Sequence, residues 1–232
     1  MQDATRFLHH CRITDPAFAD LIEVLIGTDI SKGEALGLHW TDVHLPERVL
    51  YIQYTLSAID NNKIVLTTPK TRSSKGRVAI SPRVAQALRN RAGDKGPTLT
   101  RANRGGYVFH HPDGTPLHPE YVLNHFHYLS REFGLPRTTI HDLRHLAATV
   151  SITSGVPRPI VSKTLRHSTL PTTANIHGHL TTDAARRAVN AIDEALTTAT
   201  LDTPTGAITP GTHIPRAHNQ LTITENNLRK AA

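Results

Sequence analysis

The chain has 232 residues, 38% hydrophobic, 19% charged and 5% aromatic, a balance that suits one or two folded domains with an aliphatic core. Its one cysteine, Cys11, excludes a disulfide scaffold and any multi-cysteine zinc or iron–sulfur site. The net charge of +7 is uneven: residues 1–60 hold 4 Lys and Arg against 9 Asp and Glu, while residues 61–93 hold 8 and none, a concentration that points to a polyanion, most simply nucleic acid.

The first residues carry Asp3, Arg6, His9, His10 and Arg12 with no apolar run, so they are not a signal peptide. No stretch of about 18 apolar residues is present to cross a membrane, and the expectation is a reducing, cytoplasmic setting. Residues 16–26 have apolar side chains at helical spacing. Gly27-Thr28-Asp29 breaks that helix. Ser31 sits three residues before Glu34, the spacing of a capping box, and predicts a second helix to about Trp40. Residues 48–56 read as a strand, as do Lys63–Thr67 after Asp60-Asn61-Asn62, and Arg77–Ile80. Ser81-Pro82 starts a helix to about Arg91. Residues 93–106 are a loop and 118–133 a helix. His141–Ser154 is a helix ended by Gly155; Pro157 starts another to about Leu165, and Pro171 a short one to about His177. Thr182–Thr197 is a final amphipathic helix. From there the composition turns to Thr, Pro, Gly and Asn, as in a disordered tail. The order predicts an α+β domain, mainly helical, with a small antiparallel β-sheet.

Three constellations could carry chemistry. His141-Asp142-Leu143-Arg144-His145 lies on a predicted helix, where residues three apart share a face; His141 and Arg144 could meet one phosphate, and the Arg fork suits bidentate contact. The same pattern also occurs on ordinary surface helices. Thr68-Pro69-Lys70-Thr71-Arg72-Ser73-Ser74-Lys75-Gly76-Arg77 lies between two predicted strands, where Lys, Ser and Thr donate to phosphate; a solvated basic turn is the plain alternative. The third is Leu165-Arg166-His167-Ser168, followed by Thr172 to Leu180. Its His177 and His179 diverge on a helix and have no carboxylate or cysteine at ligand spacing, so no metal site is expected.

Taken in order, these segments resemble the catalytic domain of the tyrosine recombinase, or phage integrase, family. The stretches that carry the resemblance are Gly33-Glu34-Ala35-Leu36-Gly37-Leu38-His39-Trp40-Thr41-Asp42-Val43, the Pro69-Lys70-Thr71 hairpin, His141-Asp142-Leu143-Arg144-His145, and Leu165-Arg166-His167-Ser168 through Leu180. The resemblance covers about residues 16 to 196. It implies cleavage of double-stranded DNA without a metal or other cofactor. A tyrosine attacks the scissile phosphate and forms a 3′-phosphotyrosyl link, cationic side chains stabilise the phosphate, and a hairpin lysine protonates the leaving 5′-oxygen. By motif match, Lys70 resembles that general acid, His141 and Arg144 the His-x-x-Arg pair, and His167 the later His/Trp position. Lys70, Arg72, Lys75, Arg77, Arg144 and Arg166 are the expected DNA contacts.

Two positions depart from the pattern. Ser31 stands where the family has its first arginine, three residues before the glutamate. The neighbouring Lys32 would point about 100° away on a helix and cannot give the bidentate contact. His177 stands where the family has its tyrosine; Tyr51, Tyr54, Tyr107, Tyr121 and Tyr128 all precede the His-x-x-Arg helix. The family's N-terminal helical clamp domain is also expected to be absent, leaving a catalytic domain over 1–196 and a tail over 197–232. The expectation is therefore a site-specific recombinase of a mobile element, acting on double-stranded DNA at the bacterial nucleoid and impaired or inactive in strand cleavage. A non-catalytic DNA-binding module and a decaying remnant are the alternatives. Its protein partner would be a second copy or an active recombinase, and no small-molecule substrate is expected.

Overall fold

The computed structural model describes residues 2–59, 63–68, 76–93, 105–136, 138–153, 155–157, 160–161 and 182–201. Its centre is helix α2 (Pro16–Thr28), where Phe18 to Thr28 are all buried. A helix covered on every side is a core element, not a surface stripe. The Asp15 side chain caps it by accepting from Phe18 N at 3.0 Å, Pro16 occupies the first turn, and Asp29 ends it in the left-handed conformation at φ 56°. Around α2 pack α1 (Gln2–Thr14), α3 (Lys32–Leu36), α4 (Pro82–Ala92), α6 (Ile140–Thr153) and α7 (Thr182–Leu201). Helix α5 (Pro119–Glu132) lies against α1 through Phe7, whose ring meets Phe126 at 5.7 Å and Phe133 at 5.9 Å.

Two carboxylates interrupt the apolar surface of α2. Asp20 and Glu23 are only 3% and 5% exposed. A buried carboxylate is tolerable only when paired and hydrogen-bonded. Arg83, near the start of α4, grips Glu23 with two parallel bonds, Nε to Oε2 at 2.6 Å and Nη2 to Oε1 at 2.7 Å. Arg12 of α1 pairs with Asp20, which also accepts from Asn90 Nδ2 of α4 at 3.1 Å. Asp193 of α7 accepts from the Arg83 backbone N–H at 3.3 Å. One polar cluster thus ties four helices. The hydrogen bond that Arg83 donates to Glu23 raises the Arg83 pKa against the opposing effect of burial. Beside it, Cys11 is fully buried; burial, with the negative charge of Asp15, pushes its thiol up to about 12.

The β-structure forms two small antiparallel sheets. Strands β1 (Val43–His44), β2 (Val49–Ile52) and β5 (Gly76–Ala79) make one, in the order β1-β2-β5. Strands β3 (Thr55–Ile59) and β4 (Lys63–Thr67) pair as the other. The single strand expected over 48–56 is therefore two, interrupted at Gln53 and Tyr54. Gln53 Nε2 donates to the buried Asp42 carboxylate, and the Tyr54 backbone passes against Gly37. Both contacts hold the chain out of a continuous ladder.

The helix expected from Ser31 to Trp40 is also shorter. It ends at Leu36, and Trp40–Asp42 form a separate 3-10 turn. Between them Leu38–Trp40 turns extended and exchanges backbone bonds with Gly106–Val108, Trp40 N to Gly106 O at 3.1 Å and Val108 N to Leu38 O at 2.9 Å. The last helix runs to Leu201, four residues past the expected Thr197, with Leu196 and Ala199 buried. Helix α1 was not anticipated. Phe7, Leu8 and Cys11 are its buried stripe, short enough to be hidden among polar neighbours. The helix expected from Pro171 to His177 and most of the 93–106 loop lie outside the described residues.

Replacing Arg83 by Met leaves Glu23 buried with, among the described residues, only Arg12, 3.8 Å away, to balance it. The expected loss is about 3 kcal/mol, a fall in Tm of roughly 6–12 °C by thermal melting. Unchanged melting would show that the pair is not the clamp described here. Asp15 gives a pH-dependent term. Its hydrogen bond from His125, at 3.0 Å, is the main reason its pKa lies below the usual carboxylate range, ahead of the bond from Phe18 N. Its stabilisation is full above the unfolded value of about 3.9 and is lost as pH falls through the lower folded value. The Tm gap between the protein and Asp15→Asn should accordingly narrow on acidification below about pH 4.

Candidate functional site

Ser31 is fixed by the helix it starts. Its Oγ accepts from Glu34 N at 3.2 Å, and Glu34 Oε2 accepts from Ser31 N at 2.8 Å, a complete capping box. The adjoining cation does not stand in for an arginine at position 31. Lys32 Nζ donates to the Pro119 carbonyl at 3.0 Å, in the first turn of α5. Burial lowers its pKa, with Glu120 opposing. The ammonium thus joins α3 to α5. Helix α3 is also held tightly below: a Cβ on Gly33 would stand 2.8 Å from the Leu56 carbonyl oxygen and from Thr55 Cγ2. Glycine here lets α3 lie directly on β3.

Thr139 starts α6 with a second reciprocal cap. Asp142 N donates to Thr139 Oγ1 at 3.3 Å, while Thr139 N and Oγ1 donate to Asp142 Oδ2 at 2.7 and 2.8 Å. Asp142 of the His-Asp-Leu-Arg run is therefore the capping carboxylate. Leu143, Ala147, Val150 and Ser151 form the buried face, which leaves His141 exposed in the first turn. Arg144 lies one turn further along the same helix. The helix closes with Gly155 at φ 82°, where Val156 N bonds Ser151 O at 3.1 Å and Gly155 N bonds Ile152 O at 3.0 Å. This Schellman ending needs the left-handed residue that glycine supplies. Ile160 N then bonds Pro157 O at 2.8 Å, the start of the turn expected there.

Ser31 and the His141 turn share one support: α6 packs on α2, and α2 leads into Ser31 across Asp29 and Ile30. Arg77 is exposed on β5, with its guanidinium carbon 5.8 Å from the Tyr51 ring centre. Lys70, Arg72, Lys75, Arg166, His167 and His177 lie outside the described residues. The strands flanking Lys70 are both present, but β4 pairs with β3 and β5 with β2. Among the described residues β4 and β5 are not paired with each other, and the hairpin expected at Pro69-Lys70-Thr71 lies outside the described residues.

Sequence reasoning missed Tyr51, the ring beneath Arg77. In β2 Val49, Leu50 and Ile52 are buried and Tyr51 is half-buried, a difference that the sequence VLYI does not signal. Among the described residues no three His, Cys, Asp or Glu side chains gather as a metal site, and no helix is long and apolar enough to cross a membrane.

Comparison with known proteins gives a consistent outcome. Residues 2–183 match the phage integrase family. Over 189 residues the chain is 29% identical to a XerC-like tyrosine recombinase of Caldanaerobacter subterraneus subsp. tengcongensis, covering 75% of this chain and 48% of that protein. It is 24% identical over 183 residues to the ICEBs1 integrase of Bacillus subtilis, covering 77% and 49%. The chain thus spans about half the length of the curated relatives it matches. Among solved structures, the Tn1549 transposon integrase in complex with circular intermediate DNA superposes with a TM-score of 0.62 at 23% identity, over 82% of this chain and 64% of that one. The XerA recombinase superposes with a TM-score of 0.58 at 20% identity, over 85% and 63%. These likenesses agree with the mainly helical fold and its small antiparallel sheets, and the family match extends over most of the sequence: the chain belongs to the phage integrase family.

Proposed function

We propose that this chain is a tyrosine-recombinase-type catalytic domain that binds double-stranded DNA and is impaired in cutting it. The domain extends to the end of α7 at Leu201. The observation that carries the reading is the capping box at Ser31. In this family that position bears a phosphate-binding arginine, and here it holds a neutral hydroxyl that accepts from Glu34 N. The adjacent Lys32 is engaged at Pro119. Loss of one fixed donor to the developing phosphate charge costs about 3–4 kcal/mol of transition-state stabilisation. His177 at the tyrosine position adds to the deficit, because an imidazole is shorter than a phenol and ~1 Å of displacement costs ~10²-fold. Such losses need not add.

Binding is a separate matter, since it rests on basic residues that the departures leave in place. Lys70, Arg72, Lys75, Arg77, Arg144 and Arg166 are the proposed DNA contacts, with Lys70, His141, Arg144 and His167 around the scissile phosphate. The relatives named as integrases and transposases of mobile elements, and the neighbours solved with DNA, support this assignment. A second copy or an active recombinase would complete the assembly.

The test is anisotropy with a labelled generic duplex across a salt series. The log–log slope should reflect several phosphate contacts, at about 0.9 per contact, and should become shallower in Lys70→Gln and Arg144→Gln. A flat response from folded protein would leave the remnant reading in its place. Cleavage is tested on a nicked duplex bearing a cognate site. The protein should give no covalent adduct, whereas Ser31→Arg with His177→Tyr should give one slowly. An adduct formed by the unaltered protein overturns the impairment. A silent double variant with normal folding and binding overturns the assignment of the two positions.

A further inference from the structure

Among the described residues several arginines are committed to polar partners, and Arg6 lies over the Phe133 ring. Arg12 and Arg83 are spent on buried carboxylates, and Arg186 of α7 donates to the Glu47 carbonyl at 3.4 Å. Arg77 differs. It is exposed and, among the described residues, pairs with no carboxylate. An aromatic ring holds it instead. Arg77 on β5 and Tyr51 on β2 are direct cross-strand partners, and the guanidinium carbon stands 5.8 Å from the Tyr51 ring centre. On the other side of Tyr51, His44 of β1 meets the ring edge-on at 4.9 Å and 72°. The opposite face of the sheet is core, through Leu50, Ile52 and Val78. The three side chains therefore lie on the face opposite Leu50, Ile52 and Val78 as a diagonal row, His44 being offset from Tyr51 because its own register partner is the buried Val49.

Such a row has a physical purpose. An exposed arginine loses rotamer freedom when it binds, and a ring that already holds its plane lowers that cost. A planar guanidinium can stack on an aromatic face and still present its edge donors to a phosphate. A carboxylate partner would consume those donors. Arg77 also directly follows the basic stretch that ends at Lys75 and Gly76, so the row extends that charge onto the sheet.

We propose that the outer face of the three-stranded sheet is part of the DNA interface, with Arg77 contacting a backbone phosphate and Tyr51 serving as the positioning residue that presents it; His44 buttresses the Tyr51 ring. The inference rests on the DNA-binding reading above and adds a surface and two residues, Tyr51 and His44, that the family motifs do not include.

The experiment is a double-variant cycle on duplex binding, by anisotropy across a salt series, with thermal melts to check folding. Arg77→Gln should weaken binding about tenfold and reduce the salt slope by about 1. Arg77→Lys keeps the charge and should keep the slope, but binds more weakly than the unaltered protein because it lacks the planar fork. Tyr51→Leu should weaken binding by about two- to fivefold, the size of an exposed cation–π contact, and leave the salt slope nearly unchanged. Tyr51→Phe keeps the ring and should bind normally. In the Arg77→Gln background, Tyr51→Leu should have no further effect. If Arg77→Gln binds with full affinity and slope while Lys70→Gln weakens binding, the sheet face is not an interface and the inference fails alone. Additive losses from Tyr51→Leu and Arg77→Gln overturn the positioning role. If Lys70→Gln, Arg144→Gln and Arg77→Gln all bind normally, the DNA-binding reading itself fails.

Discussion

Asp20 and Glu23, two carboxylates on a helix that is buried on every side, constrain the rest of the structure. Neither charge can stay in that environment without donors, and the donors come from different elements: Arg12 from α1, Arg83 and Asn90 from α4. Burying the apolar face of α2 therefore obliges α1 and α4 to sit in particular places and registers. Apolar packing alone would let these helices slide by a turn at modest cost, whereas a two-pronged Arg–carboxylate bond does not. The same helix ends at Asp29 and delivers Ser31 and α3, and it supports α6 with the His141 turn. The positions proposed to face DNA are thus hung on a helix whose own placement is fixed by charge.

Much of this was legible in the sequence where a local rule acts alone. Ser31 and Glu34 at capping-box spacing, Ser81-Pro82 before α4, and Gly155 after α6 each specify a boundary by backbone chemistry, and each is found. Lys63–Thr67 is a strand as expected. The misses have long-range causes. The strand over 48–56 breaks because Gln53 reaches Asp42 and Tyr54 passes under Gly37, contacts that no local pattern encodes. Helix α3 stops early because Leu38–Trp40 pairs with Gly106–Val108, some 70 residues away in sequence. Helix α1 has a buried stripe of three apolar residues at its centre, and its partner Phe126 lies far down the chain.

The candidate site divides in the same way. The motifs propose its residues along the chain, and His141 and Arg144 lie on a helix as expected. The uses of Asp142 as a cap and of Lys32 as a tie to α5 required coordinates. The Ser31 substitution also takes a clearer physical form. In this fold the residue that enters α3 can serve the helix or the substrate. Serine satisfies an orphan backbone donor, worth about 1 kcal/mol, and on the proposed assignment brings no guanidinium to the phosphate. The change therefore trades charge at the site for local stability, and the neighbouring cation is already committed to α5.

Cys11 gives the molecule a property of practical use. It is the protein's one cysteine, it has no exposed surface, and its thiol pKa is raised to about 12, so almost none of it is thiolate at neutral pH. The folded protein is in effect free of reactive sulfur without any substitution. A cysteine introduced on an exposed strand would be the sole group to take a maleimide dye, and the distance from that dye to labelled DNA could be followed on an otherwise unaltered core.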